Sequence, residues 1–193
     1  GSGLRVGLAG TGSLAATNGS QLEFRRRLFI GQEVGSHGEV TIDNSLLRAY
    51  QIYVGGTNSN EGGSGTLSFT GGAQADLGLV QLWCSGRIVI VSSTALSPHC
   101  VHYDFVNVDG LLDGWVCNEM GGVLSGTGTI VHNVHLKAGS QIVPGNSPGN
   151  LTLGTTSWDG DATFRFMINR AEGDAGIDPG WNSMHTLGFL SLQ

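Results

Sequence analysis

Two short segments of this chain are rich in side chains that can bind a metal ion. His99, Cys100 and His102 are residue types that bind zinc, but a zinc site needs about four ligands and no second cluster accompanies them. The pattern therefore favours a turn that carries exposed histidines. His132 and His135 have two residues between them. On a regular strand they point to opposite faces, so they are not a natural ligand pair.

Oxygen-rich turns near the C-terminus are the other candidate metal site. Calcium binds about six to eight oxygen atoms, and Asp-rich turns often supply them. Neither turn has the spacing of an EF-hand or of a calcium-binding nonapeptide repeat. A structural calcium ion is therefore a weak expectation, and no other cofactor is predicted. Its candidate ligands are Asp159, Asp161, Asp174 and Asp178.

The sequence lacks signatures of catalysis. Gly145–Gly149 has the letters of a Gly-x-Ser-x-Gly motif, but Pro144 and Pro148 make it a rigid double turn with no helical option, so it is not a nucleophile elbow. No P-loop and no Ser/His/Asp arrangement appears. A polysaccharide lyase or hydrolase needs converging carboxylates, and the outward acids Glu23, Glu39 and Asp76 are not expected to share one column. The only basic cluster, Arg25–Arg27, could grip an acidic glycan or a partner's carboxylate, although a solvated corner is the simpler interpretation. The sequence therefore predicts that the protein is not an enzyme.

Tryptophans and cysteines leave two questions open. The four tryptophans Trp83, Trp115, Trp158 and Trp181 could stack on sugars, but places at corners or caps are the simpler interpretation. The three cysteines allow either one disulfide with a free thiol or no bridge at all. Cys100 and Cys117 are the candidate disulfide pair.

Composition limits the classes of partner. The chain has 193 residues, of which 33 are Gly, and its net charge is −6. A mildly acidic surface disfavours nucleic acids and anionic membranes as partners. No apolar run reaches the about 20 residues that span a bilayer, so membrane insertion is not expected.

A sequence repeat indicates which secondary-structure elements position the candidate residues. Val6-Gly7, Ile30-Gly31 and Val54-Gly55 recur at one constant spacing. Each pair closes a short alternating apolar run, and a Gly-rich turn and a second alternating run follow it. A fixed period of about two dozen residues indicates coils that bury their apolar faces only against neighbouring coils.

Alternation within each run predicts which side chains point inward, because alternate residues of a strand share a face. Equivalent strands recur one coil later, in parallel register. The predicted core columns are Leu4, Leu28, Ile52 and Val80; Val6, Ile30, Val54 and Leu82; Leu14, Val40, Leu67 and Ile88; and Ala16, Ile42, Phe69 and Ile90. The expected outward positions of the first strand are Arg5, Phe29, Tyr53 and Gln81.

The pattern predicts an all-β fold: a single-stranded right-handed parallel β-helix, or β-solenoid, with a β-rich C-terminal end. An all-β sandwich is the alternative. Regular coils are expected over residues 1–93, an irregular loop or distorted coil over 94–120, and continuing coils with a C-terminal strand pair over 121–193. The three segments are expected to form one structural domain.

Turn motifs recur at both ends of the chain. Gly10–Leu14 and Thr17–Gly19 form the first set, and Pro144–Gly149 followed by Leu151–Leu153 forms the second. These motifs resemble those of bacterial secreted proteins built from autotransporter-associated β-strand repeats. The resemblance implies an exported, adhesin-like protein with a parallel β-helix, located outside the cell or at its surface. Since the motifs are turns, they bear on fold and location and not on activity.

The predicted function is that of an extracellular structural protein, either a scaffold or a self-assembling filament or surface-layer subunit. The ends of a solenoid expose unpaired strand edges, which natural solenoids cap, and no N-terminal cap is expected here. The expected partner is therefore a second copy of the chain, with glycans as a further class of partner. The alternatives are a carbohydrate-binding or adhesin module and, less favoured, a β-helix polysaccharide lyase or hydrolase. The assembly candidates are Leu4, Val6, Phe189, Leu190 and Leu192.

Overall fold

The computed structural model describes residues 3–83, 85–102, 105–145 and 148–193, with the backbone alone for 96–102. In this part of the chain the regular structure is all β-strand, and no described helix is long and apolar enough to cross a membrane. The strands are β1 (Leu4–Val6), β2 (Thr11–Ala16), β3 (Gln21–Ile30), β4 (His37–Asp43), β5 (Leu46–Val54), β6 (Ser64–Thr70), β7 (Gln74–Leu82), β8 (Gly86–His102), β9 (Phe105–Asn118), β10 (Val123–Gly126), β11 (Thr129–Ile130), β12 (Val134–Leu136), β13 (Gln141–Pro144), β14 (Asn150–Leu153), β15 (Thr156–Trp158), β16 (Thr163–Phe164), β17 (Ser183–Thr186) and β18 (Leu190–Leu192).

The described strands pair in parallel and fall into three ladders. The first ladder contains β1, the ends of β3, β5, β7, β8 and β9, then β12, β15 and β18. The second contains β2, β4, β6, the starts of β8 and β9, then β10, β13 and β16. The third contains the starts of β3, β5 and β7, the middles of β8 and β9, then β11, β14 and β17. The chain meets the three ladders in the same cyclic order each time.

The length of chain between paired positions changes along the molecule. It is longer between Leu4 and its partner Leu28 than between Phe105 and its partner Val123. Parallel pairing constrains the strands and leaves the corners free to lengthen. The longest addition within the described residues is the loop 165–182 between β16 and β17.

Within 94–120, the described residues 94–102 and 105–118 are strand and do not leave the sheet as a lateral loop, so the loop half of that expectation is wrong. β8 and β9 run through this segment and pair with each other in parallel. The register shifts between Val91 and Thr94 and again between Ser97 and Val101, so the segment is extended but uneven. The period of the N-terminal repeats does not continue through this segment, because fewer residues separate the paired strands here.

The expectation that two C-terminal strands pair with each other is also wrong. β16 lies beside β13 in the second ladder, and β18 lies beside β15 in the first ladder. The two tail strands therefore do not pair with each other. An isolated antiparallel bridge between Ile168 and Trp181 joins the two sides of the intervening loop.

The register places the members of each predicted core column opposite one another. Leu28 lies between Leu4 and Ile52, and Ile52 lies opposite Val80. The columns that start at Val6, Leu14 and Ala16 continue in the same way. Most of these side chains are buried, but Leu4 is 42% exposed because β1 has a described neighbouring strand on one side only.

The outward column of the first ladder is more buried than alternation suggests. Phe29 and Tyr53 are only 6% and 2% exposed, so the expectation that they face solvent is wrong. Their rings stack with centroids 5.3 Å apart, and the guanidinium of Arg5 lies 5.6 Å from the Phe29 centroid. Adjacent strands are about 4.8 Å apart, so aromatic rings on successive strands of a ladder cover each other.

Glycines form a column of their own at the start of the second ladder. Gly12, Gly38, Gly65 and Gly86 pair in sequence. A Cβ on Gly38 would overlap the carbonyl oxygen of Val6 and the amide nitrogen of Gly31 from the adjoining corner. The corner is tight because backbone fills the space that a side chain would need.

Two buried asparagines form hydrogen bonds to the backbone at corners between strands, and the sequence analysis did not predict either of them. The Asn118 amide donates to the carbonyls of Gly122 and Gln141 at 3.1 and 3.0 Å. The Asn182 amide donates to the carbonyls of Pro144 and Arg165 at 3.1 and 3.0 Å, and its oxygen accepts from a backbone amide. Each asparagine amide therefore joins two stretches of backbone that are separated in the sequence.

Candidate functional site

The metal-site candidates whose side chains are described do not assemble in the structure. No group of three or more His, Cys, Asp or Glu side chains lies close enough to hold a metal ion among the described residues. Of the calcium candidates, Asp159 instead contacts the His135 ring at 2.7 Å, and Asp178 accepts from the Asn169 amide at 2.8 Å. Asp161 occupies a turn with a positive φ of 65°, and Asp174 accepts from a backbone amide through its carbonyl.

Several of the histidine and cysteine candidates cannot be placed, because the structure does not describe the side chains of His99, Cys100 and His102. His132 contacts Asp113 at 2.8 Å, so it and His135 each face a different carboxylate. Cys117 takes part in a disulfide. Its suggested pairing with Cys100 stays a prediction, because the Cys100 side chain is outside the described residues.

Three of the four tryptophans are tied into the fold. Trp83 donates from Nε1 to the carbonyl of Thr57 at 2.6 Å, and Trp158 donates to the carbonyl of Ala162 at 2.9 Å. Trp181 makes the bridge across the C-terminal loop. Trp115 is 47% exposed and lines a cleft of about 340 Å³ together with Val134, Ser157 and neighbouring residues.

The arginine run forms a bulge in the third ladder. Pairing between β3 and β5 shifts after Phe24, so that Arg25 and Arg26 together lie opposite the single residue Tyr50. An extra residue in one strand bends it and redirects its side chains. Both arginines are exposed, and Tyr50 is 67% exposed.

A charged column runs beside this bulge. Glu23 lies opposite Arg48, and Arg48 lies opposite Asp76. The expectation that Glu23 and Asp76 do not share a column is therefore wrong, whereas Glu39 lies in the second ladder. More chain separates Arg48 from Asp76 than separates Glu23 from Arg48, which is why a fixed period does not align the two acids.

The bulge and the charged column line an open surface groove of about 420 Å³. We call it the arginine groove. Gly78 pairs opposite Tyr50, and a Cβ there would overlap the Tyr50 carbonyl oxygen. The residues that define the groove are Glu23, Arg25, Arg48, Tyr50, Asp76 and Gly78.

Ion pairing sets the charge state at one side of the groove. Arg25 Nε lies 2.6 Å from Glu23 Oε1. The hydrogen bond from Arg25 and its positive charge hold the pKa of the Glu23 carboxyl below its usual value, with a smaller contribution from Arg48. The same contact raises the pKa of Arg25. Among the described residues, neither Arg26 nor Arg48 has a hydrogen-bonded side-chain partner.

The ends of the three ladders form a second candidate surface. At one end, β1, β2 and the start of β3 each have a described neighbour on one side only; at the other end, the same is true of β16, β17 and β18. Half of the large apolar side chains that are exposed in the described chain lie after residue 165. They are Phe166, Ile168, Ile177, Leu187, Phe189, Leu190 and Leu192.

The assembly candidates occupy these ends with unequal exposure. Phe189, Leu190 and Leu192 are 83%, 47% and 74% exposed, whereas Val6 is only 6% exposed. Val6 as a whole is therefore buried, and it offers little surface for contact with a second copy. Leu4 is intermediate between these cases, at 42%.

Comparison of the chain with protein-family models, with curated proteins and with solved structures gave no match.

Proposed function

We propose that the three ladders are the faces of a right-handed parallel β-solenoid. The cyclic order of the ladders supports this proposal. A chain that adds one strand to each of three parallel ladders in turn, and then repeats the order, advances by one ladder spacing with every circuit. The continuous column of buried residues from Val6 through Ile30 to Val54 is the core that such winding would enclose.

We further propose that this solenoid is an extracellular structural subunit that associates end to end with copies of itself. The observation that carries this proposal is the match between its two ends. At each end three strands, one in every ladder, have a described neighbour on one side only. The free sides of β18, β16 and β17 of one copy can therefore pair with those of β1, β2 and the start of β3 of the next. Unpaired strand edges are templates for such strand addition.

The core columns support the same junction. Gln81 pairs with His102, and His102 pairs with Cys117, which links the two halves of the first ladder in one register. That register places Leu190 in the column that begins at Leu4 and places Leu192 in the column that begins at Val6. A head-to-tail contact would therefore continue both apolar columns from one copy into the next. A contact of this type does not close on itself and produces filaments.

The experiment is sedimentation velocity over a wide range of protein concentration, with negative-stain microscopy of the same samples. We expect the wild-type mass to increase with concentration and the particles to lengthen. The variant Leu190→Lys/Leu192→Lys should stay monomeric, because edge charges block strand addition. The matched control is Val34→Lys/Met120→Lys, which changes two exposed apolar residues (86% and 81%) elsewhere, and should associate like the wild type.

Two results would contradict the proposal. One is a wild-type protein that stays a single monomeric species at every concentration. The other is a lysine variant at the end strands that associates as strongly as the control. Circular dichroism of each variant separates loss of assembly from loss of folding.

A further inference from the structure

The arginine groove has the chemistry of a binding site, and the start of β3 that it crosses is also one of the strand edges in the proposed end-to-end contact. It lies on the third ladder, across the starts of β3, β5 and β7, away from β16, β17 and β18. Two adjoining cavities are lined by Arg25, Arg26 and Arg27, one with Leu4 and the other with Tyr50. The groove is therefore part of a longer concave surface centred on the arginine bulge.

Positive charge is concentrated at the corner that contains the groove and its two adjoining cavities, in contrast to the rest of the molecule. The chain has nine Lys and Arg residues and a net charge of −6, yet four of the nine cations lie at this one corner: Arg25–Arg27 and Arg48. Glu23 and Asp76 are the acids of the groove. Since Arg26 and Arg48 have no hydrogen-bonded side-chain partner among the described residues, their guanidinium donors are free to contact a ligand.

The geometry points to an acidic carbohydrate, an oligosaccharide of hexuronic acid, as the ligand of the arginine groove. Guanidinium groups bind carboxylates through two parallel hydrogen bonds. The carboxylates of Glu23 and Asp76 are acceptors, so they suit a ligand that also carries hydroxyl donors. A uronic acid has both kinds of group, whereas a phosphate polymer offers only acceptors and would be repelled by the two acids.

Size and shape fit the same ligand. The column from Glu23 through Arg48 to Asp76 spans two ladder steps, or about 10 Å. The cavity of about 420 Å³ lies within the range of small-ligand sites, about 300–1,000 Å³. Tyr50 adds an exposed ring with an apolar face and a polar hydroxyl.

Isothermal titration calorimetry with trigalacturonate tests the proposal. We expect the variant Arg25→Gln/Arg26→Gln to lose affinity by about tenfold or more, as removal of charged hydrogen bonds predicts. The matched control Arg165→Gln/Arg170→Gln makes the same change in net charge at two exposed arginines after β16, and should bind like the wild type. Should the first variant fail to fold, Arg48→Gln in the neighbouring strand is expected to show the same loss.

Two further ligands distinguish a uronate site from simple attraction of anions. The methyl ester of trigalacturonate, which keeps the hydroxyls and lacks the charge, should not bind measurably. Hexathymidylate, a phosphate polyanion, should bind more weakly than trigalacturonate at the same salt concentration. The proposal is overturned if trigalacturonate does not bind the wild type, if hexathymidylate binds as tightly, or if the control variant loses as much affinity as Arg25→Gln/Arg26→Gln. End-to-end association is measured separately by sedimentation, so failure of association and failure of ligand binding are distinguished.

Discussion

The substitution Gly38→Ala tests the glycine corner at the level of single atoms. A Cβ at this position would lie closer than 3.0 Å to the carbonyl oxygen of Val6 and to the amide nitrogen of Gly31. Both are backbone atoms held by the ladders, so neither can move aside as the end of a flexible side chain could. Overpacking of a filled site costs about 1–3 kcal/mol and occasionally more. Because two rigid groups are contacted at once, we expect a loss of about 3 kcal/mol.

Gly10→Ala is the matched control. Gly10 is exposed, its φ is not in the left-handed region, and a Cβ there would meet no atom within 4 Å. Its effect should stay within about 0.5 kcal/mol. For a chain of this length, 1 kcal/mol corresponds to about 2–4 °C in melting temperature. Gly38→Ala should therefore melt about 6–12 °C below the wild type, and Gly10→Ala within about 2 °C of it.

Differential scanning calorimetry, with far-ultraviolet circular dichroism as a second probe, measures both variants in dilute solution. Dilution matters because association would make the melting temperature depend on concentration. A Gly38→Ala protein that melts within about 2 °C of the wild type would refute the reasoning. It would mean that the corner relaxes enough to admit a methyl group, and that the glycine column is not required by packing.

Three further predictions concern the core, a corner and the groove. Phe69→Ala, at a side chain with no exposure, should lower the free energy of unfolding by about 3–5 kcal/mol in guanidinium titrations. Asn182→Ala should cost about 3 kcal/mol by the same assay, since it removes three hydrogen bonds to backbone groups and leaves the buried Pro144 carbonyl without its amide donor. The exposed Asn169→Ala should cost less than about 1 kcal/mol, as is usual for a surface change. Arg25→Gln should raise the pKa of Glu23, followed by NMR of the carboxyl carbon. Because the folded pKa of Glu23 is depressed, its contribution to stability is present above the unfolded pKa and is lost as pH falls through the folded pKa; an unchanged pKa in Arg25→Gln would contradict the ion pair.

The inward columns could be predicted because each depends on local information. Alternation within a short run sets which side chains share a face, and Val6-Gly7 and its repeats mark where each run ends. The register between Val6, Ile30 and Val54 then follows from their constant spacing. Where the spacing between paired strands shortened, at β9 and β10, the same reasoning expected a loop or a distorted coil and did not find the paired strands.

The arginine groove could not be predicted in the same way. Glu23, Arg48 and Asp76 come together only because a bulge follows Phe24 and because successive repeats differ in length. A signal was present, since all three are charged residues at alternating positions of apolar runs. Reading it required the lengths of the intervening corners, which alternation does not specify.

The amino-acid sequence by itself determined that this protein is built of β-strands with an apolar face, separated by tight glycine corners. These properties follow from the pleat of a strand and from the backbone freedom of glycine, both of which act over a few residues. Only the tertiary structure decided which outward residues of different repeats became neighbours and that Phe29 and Tyr53 are covered. Neighbours across repeats depend on register, and register depends on the combined length of every corner and bulge between them.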